Sequence, residues 1–207
     1  MKKITLSELK PIFEDYAAWL SEWQVGGKDT LFRFNGPVLQ GLWLDRLRTG
    51  HFRPTFYIKV LAVPRKAGSM ELCQFLTIRQ QTIHPSRHKE LFAEVISSVE
   101  RNIFPSILTP LQLENVFYGY EKRAAPNPAE TVSLAALAAY LGDSEKYRKW
   151  KNSFFELLDT RYTSAKERNL ELYSEFFRQV EAGSESNQNK EFIESIISEQ
   201  KKSNGLC

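Results

Sequence analysis

The chain is poor in the residues that usually announce chemistry. Only two cysteines occur in 207 residues, Cys73 and the terminal Cys207. That excludes a disulfide framework and fits a reducing compartment. With Cys207 in the last position, no prenylation box is expected. Long apolar runs are missing as well. The N-terminal MKKITLSELKPIFEDYAAWL is interrupted by Glu8, Lys10, Glu14 and Asp15, so it reads neither as a signal peptide nor as a membrane span. Glycines are few, and Gly36, Gly41 and Gly50 are spaced for turns and close approaches, not clustered to cradle phosphate. No G-x-S-x-G elbow surrounds a serine. These absences predict a soluble, cytoplasmic protein without a readable catalytic signature, binding no cofactor.

What is present suffices for a globular core: 42% of residues are hydrophobic, 13% aromatic and 26% charged. The net charge of +3 is unevenly distributed. Residues 1–84 hold 12 Lys and Arg against 7 Asp and Glu, and residues 85–207 hold 16 against 18. The first part is basic and the rest slightly acidic, which suits an acidic protein surface or a nucleic acid as partner.

Period-two alternation is concentrated between residues 31 and 79. Leu31–Asn35, Leu39–Leu47, Thr55–Val63 and Leu72–Arg79 read as four strands. Asn35-Gly36-Pro37, Thr49-Gly50 and Pro64–Ser69 supply the connections, and such short loops favour an antiparallel meander. Gly41, inside a strand, marks a bulge or a close backbone approach.

Helical signals flank this sheet. Thr5 with Glu8 forms a capping box ahead of the stripe Leu9, Ile12, Phe13, Tyr16, Leu20 and Trp23, which Gly26-Gly27 ends. Pro11 predicts that regular helix begins only near Lys10. Pro85, Pro110 and Pro128 each stand at a first helical position, after His84, Thr109 and Asn127 as caps. SLAALAAYL (133–141) is small and apolar enough for close packing, and Gly142-Asp143 turns it into a helix carrying Tyr147, Trp150, Phe154 and Leu158. A further helix carries Tyr173, Phe176, Phe177 and Val180. The predicted fold class is α+β: a four-stranded antiparallel sheet packed with an N-terminal helix and a helical C-terminal half. By composition, residues 1–182 form one α+β domain, with the sheet at 30–80 and helices at 84–182. Residues 183–207 follow as a polar linker, a short helix built on Ile193, Ile196 and Ile197, and a tail.

Candidate chemistry is sparse. His84 and His88 share a metal-ligand spacing, but Pro85 forces His84 out of helical geometry, so capping or surface roles are expected and no metal site is assigned. Cys73, in mid-strand, is expected to fill the core. A nucleic-acid reading draws on Arg33, Arg46, Arg48, Arg53, Arg65 and Arg79 interleaved with Phe32, Trp43, Phe52 and Tyr57. Scaffolding and an enzyme without a recognisable motif are further alternatives.

The pattern Phe32-Arg33 with Gly36-Pro37, Gly41 within a strand, Arg53-Pro54 leading into FYIKVL, and a capped helix after the last strand resembles small bacterial immunity proteins of polymorphic or contact-delivered toxin systems. The resemblance covers about residues 30–105. It implies a non-enzymatic protein that binds a cognate toxin and blocks its active site or substrate access. An inhibitor of this kind needs an aromatic and arginine-containing surface on a rigid scaffold. The expected partner-binding residues are Trp43, Arg46, Arg48, His51, Phe52 and Arg53, from the second strand and its turn.

Overall fold

A computed structural model describes residues 3–64, 71–77, 81–121, 126–183 and 188–205. The chain is α+β. It divides by spatial contact into two compact units, one of Met1–Lys59 with Met70–Val116, the other of Val60–Ser69 with Phe117–Cys207. The sequence division at residue 182 follows composition instead. Among the described residues no helix is long and apolar enough to cross a membrane.

In the first unit α1 (Leu6–Trp19) opens with the expected capping box, in which Thr5 Oγ1 accepts from the Glu8 N–H and Glu8 accepts from the Thr5 N–H at 2.7 Å. The helix does not wait for Pro11; it runs through it. Pro11 and Ser7 are both exposed, so the carbonyl that loses its helical donor is on the wet side of the helix. The C-terminal end is earlier than Gly26-Gly27 predicts. Leu20 is the C-cap, and Trp23 lies beyond the helix with its N–H bonded to Leu20 O at 2.8 Å. The released residues form a short fifth strand, β1 (Gln24–Val25), that pairs antiparallel with Leu31 and Phe32.

The sheet is thus five-stranded and antiparallel, in the order β1-β2-β3-β4-β5, with β2 (Thr30–Asn35), β3 (Val38–Arg46), β4 (Phe52–Val60) and β5 (Glu71–Phe75). Gly36, at φ 54°, and Pro37 make the two-residue turn between β2 and β3. Gly50, at φ 76°, turns β3 into β4, where the Leu47 N–H donates to His51 O at 2.9 Å. β4 starts three residues before the predicted Thr55, because Phe52 is already paired with Ile83 through two 2.9 Å backbone bonds.

After the sheet, His84 caps a 3-10 turn at Pro85–Arg87, its Nδ1 accepting from the Ser86 N–H, and α2 (His88–Asn102) follows. α1 and α2 cover one face of the sheet. Tyr16, Phe52, His88 and Phe92 meet there, with ring centroids 5.0–5.8 Å apart. The next helix, α3 (Leu113–Glu121), begins three residues after the predicted Pro110. Side chains of β2 hold the intervening backbone extended: Arg33 donates to Ile107 O at 3.1 Å and to Thr109 O, and Asn35 Nδ2 donates to Leu111 O. Those carbonyls satisfy the sheet instead of starting a helix.

In the second unit α4 (Pro128–Tyr140) is capped reciprocally by Asn127 and Glu130, with both bonds at 3.0 Å, as the sequence predicts. Its residues from Thr131 to Ala138 are all buried, so this short helix is covered on every side. Asp143 caps α5 (Ser144–Thr160), and α6 (Lys166–Gly183) follows a 3-10 turn. The last segment forms α7 (Gln188–Ser203), which docks through Ile193, Ile196 and Ile197, all buried, with Phe192 6.2 Å from Phe176.

Candidate interaction surface

The strand period divides the expected contact residues between two faces. In the β2–β3 register Leu31 pairs with Leu42 and Arg33 with Gln40 on one face, whereas Thr30 pairs with Trp43 and Phe32 with Gly41 on the other. The first face lies under α1 and α2, and its polar members are satisfied: Arg33 Nε donates to Gln40 Oε1 at 2.7 Å, and Gln40 Nε2 donates to Ser106 O at 3.3 Å. The second face carries Phe32, Phe34, Trp43 and Asp45, joined by Arg53, Tyr57 and Phe75. Tyr57 fits there because residue 41 is glycine. A Cβ at Gly41 would stand 2.1–2.4 Å from the Tyr57 ring and hydroxyl, so Gly41 answers to a close approach and not to a bulge. Burial holds the Tyr57 phenol protonated, its pKa pushed up to about 12, and the Cys73 and Asp29 charges reinforce this.

Arg53 is held in place on this face. Its Nη2 is 3.0 Å from Asp45 Oδ2 and its guanidinium lies 4.0 Å from the Phe75 ring centroid. Stacking and pairing together restrict a side chain that would otherwise sample many rotamers. Its Nε is buried with no acceptor, leaving one donor unsatisfied. Trp43 is half-buried on the same face. Arg53 and Trp43 therefore share this face.

The other four expected residues are placed elsewhere. Phe52 is fully buried against His88, which corrects its assignment as a contact: it belongs to the core, because its parity in β4 turns it toward the helices. Arg46 donates from Nη1 to Ile4 O at 3.2 Å and lies 3.9 Å from Asp29, so it fastens the segment before α1. Arg48 is exposed in the turn. His51 is half-buried, with Nδ1 2.9 Å from Thr49 O and its ring 5.4 Å from that of His84. Phe75 was missed by sequence reasoning. Its register with Thr55 across β4–β5 puts it beside Arg53, a pairing that strand alternation alone does not reveal. Cys73 is exposed and does not fill the core, the strand register being irregular there and Leu72 standing at φ 42°. Arg65 and Arg79 lie outside the described residues.

The histidines do not form a metal pair. His84 caps its turn, while His88, 2% exposed, holds Asp15 Oδ2 at 2.8 Å through Nε2. Burial lowers the His88 pKa, and the hydrogen bond that His88 donates to Asp15 only partly opposes it. This agrees with its Nδ1, buried and without a partner, where an added proton would find no acceptor. The Lys89 hydrogen bond, seconded by that of His88, holds Asp15 below the usual carboxylate range. Among the described residues no group of three or more His, Cys, Asp or Glu side chains is arranged to hold a metal ion. No protein-family model, curated protein or solved structure matches the chain.

Proposed function

We propose that this chain is a protein-binding module with no chemistry of its own, an immunity protein that neutralises a cognate bacterial toxin in the cytoplasm by direct binding. The observation that carries this reading is the Trp43–Arg53 patch, where Arg53 is pinned between Asp45 and Phe75. Tryptophan and arginine dominate the energetics of protein interfaces, and prior immobilisation reduces the entropy lost on binding. The basic balance of residues 1–84 suits an acidic target. The choice of a toxin as partner rests on the resemblance in residues 30–105.

Nucleic acid is the less favoured partner, because Arg33, Arg46 and Arg53 are engaged within the protein and Arg48 alone of the described set stands exposed without such a bond. Binding to a phosphate backbone draws on free, hydrated cations and weakens steeply with salt. The genetic test is direct. Deleting the gene should harm the cell only while the toxin encoded beside it is active, and a Trp43→Ala, Arg53→Ala double variant should fail to restore protection. Full protection by that variant would contradict the reading.

A further inference from the structure

The fold does not join His84 to His88, the pair that their spacing suggests, but it sets His84 beside the third histidine. Phe52 and Ile83 exchange two 2.9 Å backbone hydrogen bonds in an antiparallel bridge. The residue before Phe52 and the residue after Ile83 therefore lie opposite each other. These are His51 and His84, whose ring centroids stand 5.4 Å apart with the planes crossed at 75°. Phe52 enters the core, so strand alternation turns both imidazoles to the other side. His51 is half-buried and His84 exposed, so solvent reaches the pair.

Each ring already has one nitrogen committed to an oxygen. His51 Nδ1 lies 2.9 Å from Thr49 O; a carbonyl only accepts, so the proton is on Nδ1 and Nε2 keeps its lone pair. His84 Nδ1 lies 2.8 Å from Ser86 Oγ and accepts from the Ser86 N–H at 3.3 Å. The latter bond is long, and a serine hydroxyl accepts as readily as it donates. Moving the His84 ring proton from Nε2 to Nδ1 gives up only that longer bond, keeps the 2.8 Å contact and frees a second Nε2 lone pair. A ring N–H tied to an oxygen acceptor is the support that orients metal-ligating histidines. The separation fits as well: two imidazoles bound at about 2.0–2.1 Å to one tetrahedral ion have centroids about 5 Å apart. Arg53, two residues beyond His51 on the same side, has its charge offset by Asp45 at 3.0 Å.

We propose that His51 and His84 together bind one divalent transition-metal ion through their Nε2 atoms, of the class that imidazole prefers: zinc, nickel or copper. Water completes the coordination, so the ion is exchangeable, unlike a structural ion held by four protein ligands. The site does not depend on a toxin being the partner.

The test is calorimetric titration of the full chain with Ni²⁺, Zn²⁺ and, as the contrast, Mg²⁺, which favours oxygen ligands. Ni²⁺ and Zn²⁺ should each bind at one equivalent and be removed by a chelator without unfolding the chain, and Mg²⁺ should not bind at this site. His51→Gln and His84→Asn should each weaken Ni²⁺ binding at least tenfold, since even the partners behind a ligand are worth 10–100-fold. His88→Gln should leave it unchanged, because that ring is buried against Asp15. Asparagine retains a capping acceptor at position 84, so without metal both site variants should melt within about 2 °C of the wild type, which separates lost binding from misfolding. Absence of saturable Ni²⁺ and Zn²⁺ binding by the wild type, or wild-type affinity in either site variant, would overturn the proposal.

Discussion

The β3–β4 hairpin and the α4–α5 hairpin gather their side chains by opposite rules. In the strands, neighbours in sequence are sent to opposite faces, so Phe52 enters the core at 0% exposure while Arg53 stacks on Phe75 at the surface. In the helices, residues three and four apart are brought together, so Tyr147, Trp150, Phe154 and Leu158 form one buried stripe. A contact surface on a sheet therefore cannot be read from a contiguous segment. A buried stripe on a helix can.

The largest effect that tests this comparison is expected from two adjacent layers of one hairpin. Phe52→Ala should cost about 3–5 kcal/mol in urea denaturation, the usual range for deleting a buried phenylalanine. Trp43→Ala, half-exposed on the other face, should cost well under half as much. Equal losses would mean that the two faces are equally buried and that the surface assignment is wrong.

Gly41→Ala should follow in size, at about 1–3 kcal/mol, because the new Cβ collides with the Tyr57 ring. Shortening the partner in a Gly41→Ala, Tyr57→Leu double variant should recover part of the loss, a coupling that a double-mutant cycle measures. Additive losses would place the strain elsewhere. On the helical side, Asn127→Ala removes a capping bond and should cost about 1 kcal/mol. Thr109→Ala, which looks equivalent in sequence, should cost little, since Thr109 contributes its carbonyl to Arg33 and caps no helix.

The smallest expected effect concerns pH. His88 has its pKa lowered below 6.5 by burial, so the unfolded chain binds the proton more readily than the folded one. Its contribution to stability is complete above pH 6.5 and is lost as pH falls from there through the folded value. Asp15, also lowered, adds a loss only below its ordinary 3.8. Denaturation midpoints measured from neutral pH to about pH 5 should fall in the wild type. His88→Gln should flatten that slope, and an unchanged slope would remove His88 as its source.

The legible parts of the fold were those fixed by local rules. The capping boxes at Thr5 and Asn127, the turns at Gly36 and Gly50, and the alternation through β2 and β3 all depend on a few adjacent residues, and each stands where the spacing puts it. The illegible parts were decided by distant partners. α3 starts late because Arg33 and Asn35, more than seventy positions earlier, claim the carbonyls around Pro110. Of the expected contact surface, Trp43 and Arg53 share one face and are half-buried there, whereas Arg46 and Phe52 turn the other way by parity. Phase along the strand would have separated them. The contribution of Phe75 depends on cross-strand register, which alternation within one strand does not encode.

The most direct test of the central claim, that the half-buried Trp43 and Arg53 on this sheet face grip a protein, is calorimetric titration of the purified chain with the toxin encoded beside its gene. The account predicts tight one-to-one binding that Arg53→Ala weakens at least tenfold while leaving the far-ultraviolet circular dichroism unchanged. Absence of binding, or equal affinity for wild type and Arg53→Ala, would contradict it.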